Sequence, residues 1–141
     1  MTKEVGIRMK AYHTTMHEEE ESVVVDEMEG FYYERNHFSY ITYEQSLEDG
    51  GEVVSHMLKF QEHHVILTKK MVPKVVMEFI EGTTTTCDYV TPHGRMILEM
   101  EANKIEISKE SCKILLYMEY VIKSNQEVVS NCKMHIEIFT K

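Results

Sequence analysis

Apolar and polar residues take turns along this chain with a period of two, almost from one end to the other. Over residues 3–14, Val5, Ile7, Met9, Ala11 and His13 alternate with Gly6, Arg8, Lys10 and Tyr12, the pattern of a strand with one buried face. Val23-Val24-Val25 opens a second strand that reaches Gly30-Phe31-Tyr32-Tyr33, where the glycine predicts a bulge or sharp bend. Asn36-His37 is read as a turn. Beyond it Phe38, Tyr40 and Thr42 alternate with Ser39, Ile41 and Tyr43, and Asp49-Gly50-Gly51 is a strong turn signal. Glu52 to Phe60 fits a helix face as well as a strand, since Val53, Val54, Met57 and Leu58 satisfy both spacings; its surroundings favour a strand. Val65 to Met71 is short and β-branched, and Val72-Pro73 closes it because proline cannot donate to a ladder.

From Lys74 onward the connections tighten. Val75, Met77 and Phe79 oppose Val76, Glu78 and Ile80, and after Gly82 the branched residues Thr83 to Thr86 favour an extended chain. Thr91-Pro92-His93-Gly94 predicts a turn. Met96, Leu98 and Met100 share a face, and Ile105 and Ile107 repeat the pattern beyond Asn103-Lys104, which reads as a connection between two strands. Ile114, Leu116, Met118, Tyr120 and Ile122 form the next strand. A turn at Ser124-Asn125-Gln126 leads to Val128, Cys132, Met134, Ile136 and Ile138, with Asn131, Lys133, His135 and Glu137 facing water. No segment sustains a helical period. About ten or eleven short strands joined by tight turns predict an all-β chain, one domain over residues 1–141, whose antiparallel up-and-down meander closes into a β-barrel and so removes its edges.

Charge narrows the partners. With 15 Lys and Arg against 24 Asp and Glu, the net charge of −9 argues against nucleic acid and anionic lipid. The charge run Glu18 to Glu21 reads as a solvated turn, since adjacent carboxylates repel one another. The N-terminal residues hold no apolar stretch of signal-peptide type and no apolar run is long enough to span a membrane, so a cytoplasmic protein is expected. Three cysteines without close spacing, Cys87, Cys112 and Cys132, suit a reducing compartment.

Certain residues carry a resemblance. Gly30-Phe31-Tyr32-Tyr33, Tyr40, Tyr43-Glu44, Phe79 with Gly82, Tyr89-x-Thr91-Pro92-x-Gly94, Tyr117 with Tyr120, and Met134-x-Ile136 resemble the YwiB-like family of bacterial proteins of unknown function, over nearly the whole chain. The resemblance implies a lipocalin-like or calycin-like barrel and brings no activity, substrate or catalytic residue. Lys69-Lys70-Met71 stands where the family tends to carry Arg-x-Gly, which keeps the charge and loses the planar fork. Ala102 stands where a threonine is expected.

Candidate chemistry is sparse. Eight histidines invite a metal. Adjacent His63 and His64 point to opposite faces, however, and His56 needs partners such as His13 or His135 from other strands, so no metal site and no cofactor are expected. Glu44 and Glu119 are the carboxylates to place, and parity puts Glu119 outside. No catalytic set has a recognisable signature. The expected function is a barrel that binds a small apolar or amphipathic molecule, with Tyr40, Lys69, Tyr89 and Tyr120 as wall and polar tips. The alternative is a filled, non-catalytic barrel that binds a protein or a second copy of itself as a homodimer; an enzyme is the remote third.

Overall fold

In a computed structural model, which describes residues 3–15, 22–46, 53–70, 74–91 and 94–140, the chain is a succession of ten antiparallel strands. They are β1 (Lys3–Thr15), β2 (Ser22–Arg35), β3 (Phe38–Ser46), β4 (Val53–Gln61), β5 (His64–Lys70), β6 (Val75–Ile80), β7 (Thr84–Thr91), β8 (Gly94–Lys109), β9 (Lys113–Ser124) and β10 (Glu127–Thr140). Each pairs with its neighbours in sequence except β6 with β7, and β1 also pairs with β10, giving the order β6-β5-β4-β3-β2-β1-β10-β9-β8-β7. The meander is therefore a nearly closed barrel, with β6 and β7 at its two edges and lying side by side.

That last seam has no strand ladder. It is held by the β6–β7 connection and its surroundings: Gly82 N–H donates to Ala102 O at 2.8 Å, Ala102 N–H to Thr83 O at 3.3 Å, and the Thr85 hydroxyl to Glu78 O. A Glu81 oxygen accepts the Ile105 N–H at 2.6 Å, tying β8 to the same corner. Gly82 has φ of 78°, a left-handed conformation that glycine adopts without strain. The two-residue turns Asn36-His37 and Asn125-Gln126 have positive φ at both positions, which matches the twist of the strands they join.

Two expectations are corrected. Asn103-Lys104 does not connect two strands: β8 runs unbroken from Gly94 to Lys109, with a register shift between Ala102 and Lys104. The inserted residue switches the inward parity from Met100 and Ala102 to Ile105, and a bulge produces that switch as readily as a turn does. At Gly30, conversely, the register runs through without a shift. The glycine is required by close approach, because a Cβ there would lie 2.3 Å from Thr42 O and 2.9 Å from Ile7 Cδ1. The Glu18 to Glu21 run, Asp49-Gly50-Gly51, Val72-Pro73 and Pro92-His93 lie outside the described residues.

The inward set fills the middle of the barrel. Ile7, Ile41, Leu58, Phe60, Val65, Phe79, Met100, Met118 and Ile136 are buried together, with Tyr120 against Phe79 at 4.7 Å between ring centroids. Glu52 to Phe60, ambiguous in sequence, is strand from Val53, and its alternating burial shows which period prevailed. No helix among the described residues is long and apolar enough to cross a membrane.

Candidate functional site

The two ends of the barrel differ chemically. At the end bearing the β2–β3 and β8–β9 connections, polar side chains satisfy one another. Tyr32 donates to Glu34 Oε1 at 2.5 Å, its hydroxyl lies 3.2 Å from Ser39 Oγ, and Lys109 reaches across from β8 to Ser39 Oγ at 3.2 Å and Glu34 Oε1 at 3.6 Å. The Tyr32 bond and the Lys109 charge hold the Glu34 carboxyl below its ordinary range. A cavity of about 190 Å³ remains beside this network, lined by Val5, Tyr32, Lys109 and Ile114 among others.

The opposite end is that of the β1–β2, β3–β4, β5–β6 and β7–β8 connections. Here the inner wall carries a row of polar groups, one of which holds a buried atom without a partner. Tyr43, His56 and Lys69 are direct cross-strand partners on β3, β4 and β5, one row on one face, with neighbouring side chains about 5 Å apart by strand geometry. His56 is only 6% exposed and its Nδ1 has no hydrogen-bond partner; its ring lies 5.0 Å from that of Tyr43. Burial, and then the Lys69 charge, push its pKa down, so at neutral pH it is uncharged. Burial, with a smaller effect from Asp26, pushes the Tyr43 phenol up. Asp26, on the neighbouring β2, is held by Gln45 Nε2 at 2.9 Å. Lys69 has no carboxylate within ion-pair distance among the described residues.

Around this end the apolar exposure is concentrated. Apart from Phe31, every exposed large hydrophobic among the described residues falls near a strand terminus here: Val23, Val24 and Val25 on β2, Val53 on β4, Val76 on β6, Met96 and Ile97 on β8, and Val129 on β10. Singly these would mean little, but together they form a collar, with Val24 and Met96 on the inner face and Val23, Val25, Val53, Val76 and Ile97 on the outer.

Of the four residues expected to line a ligand site, Lys69, Tyr89 and Tyr120 share the inner face. Lys69 and Tyr89 lie toward the collared end, and Tyr120 lies deeper in the core. Tyr40 is set apart on the outer wall, stacked on Tyr33 at 4.8 Å with Lys59 above its ring. Tyr43, a tyrosine that the sequence also offers as a cavity lining, is inward, sharing parity with Ile41, whereas His56 and Asp26 are inner residues that sequence reasoning did not bring to this site. Glu44 is exposed, and Glu119 points outward. His13 Nδ1 sits 3.3 Å from Cys132 Sγ inside, while His135 lies outside between Tyr12 and Tyr117. Among the described residues no cluster of His, Cys, Asp or Glu could hold a metal ion. All three thiols are free, and burial raises the pKa of both Cys87 and Cys132, which keeps them protonated.

A groove of about 1100 Å³ lies on the outer wall, lined by Arg8, Tyr12, Lys104, Tyr117 and His135 among others. Two of its cations are matched, Arg8 with Glu27 at 3.0 Å and Lys104 with Glu106 at 3.3 Å, while Lys10 in the same lining makes no ion pair among the described residues.

Residues 7–136 match the model of a domain of unknown function, DUF1934. Among solved structures the chain is similar to the ywiB protein from Bacillus subtilis, with a TM-score of 0.85 at 18% sequence identity, over 99% of this chain and 93% of that one. At that identity the likeness is one of fold. No curated protein matches.

Proposed function

The chain belongs to the DUF1934 family, and from that premise we propose that it is a small-molecule-binding barrel that takes an apolar or amphipathic ligand at its collared end. The observation that carries this reading is the gathering of exposed apolar side chains, among the described residues and Phe31 apart, around one end. Water-exposed apolar surface persists at a cost unless something covers it. The filled middle of the barrel limits how far a ligand enters, so it sits in the mouth, with Lys69 and Tyr89 on the wall and Tyr120 beneath. Three free thiols suit binding in a reducing compartment such as the cytoplasm.

Native mass spectrometry of protein purified from its own host tests the reading, followed by a thermal-shift screen of fatty acids, alcohols, haem and nucleotides. A specific ligand raises the melting temperature with concentration by mass action. A chain that arrives bare and is moved by no compound would refute it.

A second reading, a homodimer, has the same collar in its favour. The run Val23-Val24-Val25 could cover the collar of another copy without any small molecule. Sedimentation at rising concentration separates the two. A dimer lost on Val24→Glu supports the second reading, and a monomer throughout supports the first.

A further inference from the structure

The inner wall at the collared end offers more than an apolar ligand needs. Tyr43, His56 and Lys69 place a phenol, an imidazole and an ammonium group in one cross-strand row. The imidazole is buried with Nδ1 unpartnered, and the ammonium has no carboxylate among the described residues. Buried polar groups are ordinarily satisfied, so an orphan of this kind points to a partner that arrives from outside. Asp26 does not serve, because it makes no hydrogen bond to His56 and no ion pair with Lys69; its side-chain partner is Gln45.

We infer that this row seats the head group of a monoanionic amphiphile, a carboxylate, held by Lys69, His56 and the Tyr43 hydroxyl. The inference rests on the small-molecule reading above and gives the chemical class of the head. A carboxylate presents two oxygens with about four acceptor sites, enough for all three donors. Charge selects the monoanion. In the bound state Lys69 and a protonated His56 supply two positive charges against the one negative charge of Asp26, which balances a monoanion, and a doubly charged phosphate would leave uncompensated charge beside Ile41, Leu58 and Val75.

Proton uptake follows. The titratable and charged groups facing the row are Asp26 from β2, Tyr43 from β3, Lys69 from β5 and Cys87 and Tyr89 from β7; β6 contributes only Val75 and Met77. In the free protein the net effect keeps His56 neutral. A bound carboxylate favours the imidazolium, so binding draws a proton onto His56 and weakens as pH rises from the pKa of the free state through that of the bound state.

Calorimetric titration of the full chain with octanoate and octan-1-ol, from pH 6.5 to 8, tests this. Octanoate is expected to bind at least about tenfold tighter at pH 6.5, and Lys69→Met to abolish that margin while sparing the alcohol. His56→Gln keeps a donor and loses the titration, so its octanoate affinity is expected to stay flat with pH. Lys69→Gln replaces Lys69→Met if circular dichroism shows the latter unfolded. Equal binding of acid and alcohol, unmoved by Lys69→Met, would overturn the carboxylate inference and leave the small-molecule reading standing. If neither compound binds at millimolar concentration, both fall.

Discussion

Replacing His56 with leucine should make the protein more stable and less able to bind. The buried Nδ1 lacks a partner, and an unsatisfied polar atom of this kind costs about 1–3 kcal/mol. Against its removal stands the ring contact with Tyr43 at 5.0 Å, a type of contact worth about 0.5–1.5 kcal/mol. The net expectation for His56→Leu is a gain of about 1 kcal/mol at pH 7.5, or about 3 °C in melting temperature for a domain of this size. The gain should grow on acidification. The folded imidazole has a pKa below the ordinary histidine value of about 6.5, so the unfolded chain binds more protons near and below that pH. The native contribution is thus complete above pH 6.5 and lost as pH falls through the folded pKa, a loss the leucine variant escapes. Urea unfolding followed by circular dichroism at pH 7.5 and 5.5 reads both effects. A loss of more than about 1 kcal/mol at pH 7.5, or a gain that shrinks at pH 5.5, would show that the imidazole is satisfied in the native state and refute the reasoning.

Other outcomes follow from the same geometry. Gly30→Ala forces a Cβ to within 2.3 Å of the Thr42 carbonyl and should cost about 2–3 kcal/mol in chemical denaturation, with an unchanged melt as the contrary result. Thr85→Val removes the hydroxyl that bridges β7 to Glu78 O and should cost about 1 kcal/mol. Hydrogen exchange should find the amides of β6 and β7 exchanging before those of β1, β9 and β10, because only the β6–β7 seam lacks a ladder; uniform protection would contradict this.

How much could be read from the residues varied with the physics. Period-two alternation in β9 and β10 left no doubt about strand or face, since Leu116, Met118, Ile136 and Ile138 are buried and their neighbours are not. Meander topology followed from turns too short to permit any other connection. A bulge and a turn both change parity, however, so Asn103 was read as a break where one long strand continues. Gly30 shows the converse: a glycine in a strand signals that something is near, and only tertiary contact reveals that the neighbour is the Thr42 carbonyl. The site was half legible. Lys69, Tyr89 and Tyr120 were picked out as polar tips among apolar neighbours, but Tyr40 has the opposite phase to Ile41 and so lies outside. The row Tyr43–His56–Lys69 depends on register between three strands, which a single sequence does not encode in any local pattern.

The donor row is tested most directly by following the His56 ring nitrogens by NMR during an octanoate titration at pH 7. The expected result is a neutral imidazole in the free protein that becomes an imidazolium as the site fills. A ring that stays neutral at saturation, while shifts appear around the outer groove of Tyr12, Tyr117 and His135, would contradict it and move the binding site to the other side of the wall.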